Sequence, residues 1–216
     1  MNVPNAARFT TVAFLGAALY TWLQMWPGLD FGGAFVERQT WLLLHSGVWR
    51  LGWWLWLLAI FSWMWLLVAL AWSYLPAHRM AAMLQSGLMV IAAVLAIAGV
   101  TVWMAVLPVA VQLGDATVGA GENLVLLVDM LAMSLVSAGC FMGGLVTSWI
   151  AWDLIRQKAL ARFWLWLLLL AGFALTPAPF VALHPYPLAA ALGFWLLGSL
   201  WLSTRRRLPS PFSEWP

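Results

Sequence analysis

Asp129 is a carboxylate set in a long apolar stretch, VLLVDMLAMSLVSAGC, about five residues from its outer end. A charge at mid-bilayer costs roughly 2.5–3.5 kcal/mol on insertion scales, and a shallower one costs less. An acid in such a place is a candidate for proton or ion handling. It can equally be a structural acceptor for a neighbouring helix or a loop amide. At about 100° per residue, Ala132, Met133, Val136, Gly139, Cys140, Gly143 and Thr147 share its helix face. Gly139 and Gly143 form a GxxxG pair, and Gly144 adds a third small residue. Small residues let a second backbone approach, which drives helix contact where lipid removes the hydrophobic effect. Ala92, Ala96 and Gly99 offer a matching face on the preceding apolar stretch, so these two stretches are expected to pack together.

A second constellation is looser. His45, His184, Met104 and Met133 fall at similar depth on the outer side, near Asp129. Imidazole with thioether suits haem iron or copper. No HxxxH-type ligand spacing supports such a site. The alternative is that the histidines cap helix ends in the headgroup layer and the methionines are flexible packing. His78 sits beside Arg79 as an interfacial residue. Glu37 with Arg38, and Asp153 with Arg156, read as interfacial charges, the second pair three apart on one helix face.

Much chemistry is missing. There is no Walker A loop, GxSxG or HExxH. Lys158, the one lysine, falls in an inner loop, which excludes an intramembrane Schiff base. Intramembrane proteolysis needs paired acids or Ser–His partners within spans, and Asp129 is expected to stand alone. Cys140 is the single cysteine, so no intrachain disulfide forms.

The elements that must position these groups follow from composition. Hydrophobic residues make up 65% of the 216 and charged residues 8%, against roughly 25% charged in a soluble domain. A bilayer crossing takes about 20 mostly apolar residues. Six stretches meet this demand, at 9–26, 51–75, 82–111, 124–151, 162–182 and 187–203. The first is counted as retained, not as a cleaved leader. The expected fold is all-α, a polytopic membrane helix bundle in one domain, with 204–216 a short cytoplasmic tail. Pro108 is expected to bend or end the third span. No internal repeat is evident.

Charge placement orients the chain. Arg8, Arg79, Arg156, Lys158, Arg162 and Arg205–Arg207 fall on one side of a six-span threading, and only Arg38 and Arg50 on the other. The positive-inside rule puts both termini in the cytoplasm. The few basic residues sit at span ends, so the net charge of +3 does not indicate nucleic-acid binding. Many of the 18 tryptophans lie near span ends as interfacial anchors, with Trp22, Trp26, Trp41, Trp49 and Trp53 on the outer side and Trp72, Trp149, Trp152, Trp164, Trp166 and Trp201 on the inner. Trp63 and Trp65 lie mid-span, where they pack on a neighbouring helix or hold a pigment or lipid. The segment Phe35–Trp49, FVERQTWLLLHSGVW, is amphipathic and reads as an interfacial helix between spans one and two.

The runs WRLGWWLWLLA (49–59), RFW (162–164) and WLLG (195–198) followed by Arg205–Arg207 resemble an uncharacterised group of small six-span bacterial membrane proteins. That resemblance implies a six-helix protein of the bacterial inner membrane and carries no activity or site residues with it. The leading expectation is a non-catalytic accessory or assembly subunit with no cofactor, contacting lipids and other membrane subunits or itself. One alternative is a haem- or metal-binding electron-transfer subunit. Another is a small transporter or lipid-modifying enzyme using Asp129.

Overall fold

A computed structural model describes residues 3–29, 35–75, 79–116, 121–158, 160–180 and 185–204. The described residues form helices and turns, with no strand among them. Helix α1 (Val3–Tyr20) continues through a π-helical segment, Thr21–Met25, into the short α2 (Trp26–Leu29). Then follow α3 (Phe35–Leu44), α4 (Ser46–Tyr74) and α5 (Arg79–Thr101). A second π segment, Val102–Val106, joins α5 to α6 (Leu107–Ala116), and α7 (Gly121–Arg156), α8 (Arg162–Leu175) and α9 (Pro185–Thr204) complete the chain.

Four stretches among the described residues are long and apolar enough to cross a bilayer: Ser46–Tyr74, Met80–Leu113, Asn123–Arg156 and Pro187–Thr204. The expected span 162–182 is a shorter apolar helix, Arg162–Leu175, followed by turns to Phe180. The Thr176-Pro177-Ala178-Pro179 run ends it, because neither proline can donate to a helical ladder. The expected span 9–26 lies inside the helical run from Val3 to Leu29.

The long helices close into a ring in chain order. Helix α1 packs on α4, α4 on α5, α5 on α7, α7 on α8, α8 on α9, and α9 returns to α1. Side-chain polar groups bond across five of these junctions. Thr10 donates to the Ser62 carbonyl at 2.9 Å and Thr11 to Ser199 at 3.1 Å. Trp72 donates to Ser86 at 3.0 Å, Gln85 to Asp153 at 2.8 Å and Ser148 to the Leu169 carbonyl at 3.4 Å. Such bonds average about 0.6 kcal/mol in membrane helices, so they set register more than stability. The sixth junction is aromatic, with Trp164 stacked on Trp201 at 5.2 Å. Asp153 thus accepts from Gln85, and it forms no ion pair with Arg156.

Indoles fill the middle of the ring. Trp63 meets Trp195 edge-on at 6.4 Å, and Trp195 meets Phe14 at 6.1 Å. A side chain at Gly143 would run into the Trp63 ring. Trp63 is therefore a packing residue, and Trp65 lies 5.8 Å from the ring of Phe9. Close backbone approach fixes two further contacts. A Cβ at Gly139 would lie 2.7 Å from the Ala96 nitrogen, and one at Gly99 2.6 Å from the Ala132 carbonyl. Gly144 faces α8 instead, where it and Gly172 each would put a Cβ 2.6 Å from the other's carbonyl.

Pro108 does not end its helix. Its ring would clash with the carbonyl four residues back, and it has no N–H to donate. The π segment just before it relieves the clash by shifting the Leu107 N–H onto the Val102 carbonyl, five residues back. The helix then runs on to Ala116. The first π segment has the same relation to its proline: Met25 and Val106 each precede a proline, Pro27 or Pro108, by two residues.

Candidate functional site

The two π segments lie beside one polar cluster, built from α2, α3, α4, α7 and the α5–α6 junction. Arg38 on α3 points inward and is 8% exposed, and Asp129 on α7 is 5% exposed. They form a two-pronged ion pair, with Nη1 donating to Oδ2 and Nη2 donating to Oδ1 at 3.0 Å. This fork is the strongest arrangement available to a guanidinium and a carboxylate. The Arg38 Nε donates to the Gly28 carbonyl at 2.8 Å. The Trp103 indole donates to Asp129 Oδ1 at 2.9 Å.

The geometry corrects two sequence expectations. Arg38 is not an interfacial charge, and Asp129 is not alone. The physical reason is mutual. Each buried ion costs several kcal/mol of lost hydration unless a partner and further hydrogen bonds replace the water. Arg38 and Leu42 are four apart on one face of α3, both buried, so α3 lies with that face on the bundle. Its contacts with α2, α4 and α6 agree with this.

Backbone chemistry explains the surrounding tryptophans. Pro108 stands five residues after Trp103 and has no N–H to give the Trp103 carbonyl, while the Leu107 N–H is committed to Val102. The Trp49 indole donates to the Trp103 carbonyl at 2.7 Å. Trp49, fully buried, sits edge-on to Trp53 at 5.3 Å, and Trp53 stacks on Trp103 at 4.7 Å. Trp41 meets Trp49 at 6.4 Å. A Cβ at Gly28 would strike the Trp41 ring at 2.5 Å, so a glycine there lets α2 lie against α3. Trp49 and Trp53 are buried packing groups and not the outer-interface anchors expected of them, whereas Trp41 is half-buried beside the exposed His45.

Three of the four residues in the expected imidazole–thioether grouping lie among the described residues. Met104 and Met133 are partly buried and pack against the apolar cluster around Trp49, Trp53 and Trp103. His45 is exposed, stacked on Trp41 at 5.0 Å, with Nδ1 3.1 Å from the Trp41 carbonyl. His184 and His78 lie outside the described residues. Among the described residues no group of three or more His, Cys, Asp or Glu is placed to hold a metal ion.

Arg38 was legible only indirectly. It is one of two arginines on the outer side of the threading, against the charge bias, and Asp129 on that same side needed a cation. Trp49 had no comparable signal, because its bond to the Trp103 carbonyl depends on how the helix bends before Pro108. Comparison with protein-family models, curated proteins and solved structures returned no match.

Proposed function

We propose that this chain is a six-span integral protein of the bacterial inner membrane, with both termini cytoplasmic. It acts as a non-catalytic accessory or assembly subunit, contacting lipids and partner membrane proteins, or other copies of itself. The observation that carries this reading is the commitment of Asp129. Both of its oxygens are taken by Arg38, and one also by Trp103. A carboxylate that carries protons or ions must exchange its partners during the cycle. One locked into a buried fork instead holds α3 against the bundle.

Two further features support it. The ring centre is filled by Phe14, Trp63 and Trp195, which suits a scaffold better than a conduit. The outer faces of α5 and α7 carry large exposed apolar side chains, such as Met83, Val94, Leu127 and Met130, the kind of surface that lipid or another membrane helix covers.

Purification of the tagged full chain from native membranes in mild detergent tests the proposal. Specific co-purifying membrane proteins, or a defined homo-oligomer, are expected. A monodisperse monomer with no companion would overturn the subunit role.

A further inference from the structure

A cleft of about 400 Å³ opens between the start of α5 and the end of α7, lined by Ala81, Trp149, Asp153, Arg156 and Gln157. Trp149, Asp153 and Arg156 recur on α7 at intervals of four and three, so they share one helix face, and Gln157 follows just past the helix end. An acid and a base lie three apart on that face, yet they form no ion pair. Asp153 instead accepts from Gln85 on α5. Arg156 is exposed and has no ion-pair partner among the described residues. Gln85 is wholly buried, and its Oε1 has no donor among the described residues. Trp149 is 37% exposed at the rim.

We infer that this cleft binds the phosphoethanolamine headgroup of a membrane lipid, an inference that rests on the membrane placement proposed above. The chemistry selects a zwitterion. Arg156 offers a guanidinium to a phosphate, which it can grip with two parallel N–H bonds. Asp153, beside it, repels a purely anionic headgroup and attracts an ammonium. The acceptor lining that side, the Asp153 carboxylate, calls for N–H donors. A primary ammonium supplies three, and a trimethylammonium supplies none. Trp149 is placed to cover the glycerol region, as indoles do at headgroup depth. Headgroup pockets between helices on the cytoplasmic side are a recognised location for bound lipid.

Native mass spectrometry of the detergent-purified full chain tests this, with phosphatidylethanolamine, phosphatidylcholine and phosphatidylglycerol of identical acyl chains added in turn. Ethanolamine lipid should be retained about tenfold better than either other lipid, the margin expected for one charge-assisted hydrogen bond. Arg156→Gln should weaken retention of all three lipids, which share the phosphate, without lowering the melting temperature, since Arg156 has no ion pair among the described residues to lose. Asp153→Asn should bring choline lipid level with ethanolamine lipid. Equal retention of all three lipids by the parent chain, or undiminished retention in Arg156→Gln, would overturn the site. Equally tight binding of water-soluble glycerophosphoethanolamine would overturn the assignment to a lipid. Alkaline carbonate washing separates the two proposals. Release of the chain from membranes sinks the membrane placement, whereas an alkali-resistant chain without headgroup preference sinks only the cleft.

Discussion

Arg38 and Asp129, 91 residues apart in sequence, meet in a two-pronged buried ion pair that joins α3 to α7. The pair is stitched into the backbone on both sides. Arg38 also holds the Gly28 carbonyl, next to Pro27, and Asp129 also holds the indole of Trp103, inside the π segment before Pro108. Two irregular helical turns and one ion pair therefore form a single unit. π-Helical turns are rare and are frequently retained at sites with a role. Here their role is to aim a carbonyl and an indole at the two charges.

The Trp49–Trp103 bond gives a coupled prediction. Trp49→Phe removes the indole's bond to the Trp103 carbonyl and should cost about 1 kcal/mol, the scale of one buried hydrogen bond. Pro108→Ala supplies a backbone N–H five residues after Trp103. The double variant should therefore lose less than the sum of the singles, by up to about 1 kcal/mol. Thermal unfolding of the purified variants in detergent reads this directly. Strict additivity would show that the proline and the indole do not serve the same carbonyl.

Glycine substitutions should divide sharply by neighbour. A side chain at Gly139 meets the α5 backbone, 2.7 Å from the Ala96 nitrogen, whereas nothing lies within 4 Å of one at Gly193. Gly139→Val should lower stability by about 1–3 kcal/mol through overpacking. Gly193→Ala should be neutral, or gain up to about 1 kcal/mol from helix propensity. Melting temperatures of the two variants, compared with the parent, decide it.

Much of the fold was visible in the sequence because apolar length and helix-face spacing are local properties. Of the small residues expected at that contact, Gly139 meets Ala92 and Ala96 and Gly99 meets Ala132, whereas Gly143 meets Trp63 and Gly144 meets Gly172 of α8. What escaped was long-range or depended on a broken rule. Arg38 sits in a segment whose amphipathic pattern fits a headgroup-level helix, and only Asp129, far along the chain, tells which way its charge turns. The continuity of the helix through Pro108 was hidden for a related reason. Proline breaks the α-helical ladder, and the π turn that absorbs the break leaves no compositional mark.

The membrane orientation has its own test. In a Cys140→Ser background, a cysteine at Lys158 should react with an impermeant maleimide only from the cytoplasmic side. One at Asp115 should react only from the outside. Labelling of both from one side would contradict the threading.

The clasp itself is tested most directly by a double-mutant cycle on Arg38 and Asp129, read as unfolding free energy of the detergent-purified chain. Asp129→Leu and Arg38→Met should each cost about 3–5 kcal/mol, because each strands a buried charge. The double variant strands neither and should recover most of that loss, leaving a coupling energy of several kcal/mol. Single variants within about 0.5 kcal/mol of the parent, or a double variant that loses the full sum, would contradict a buried clasp.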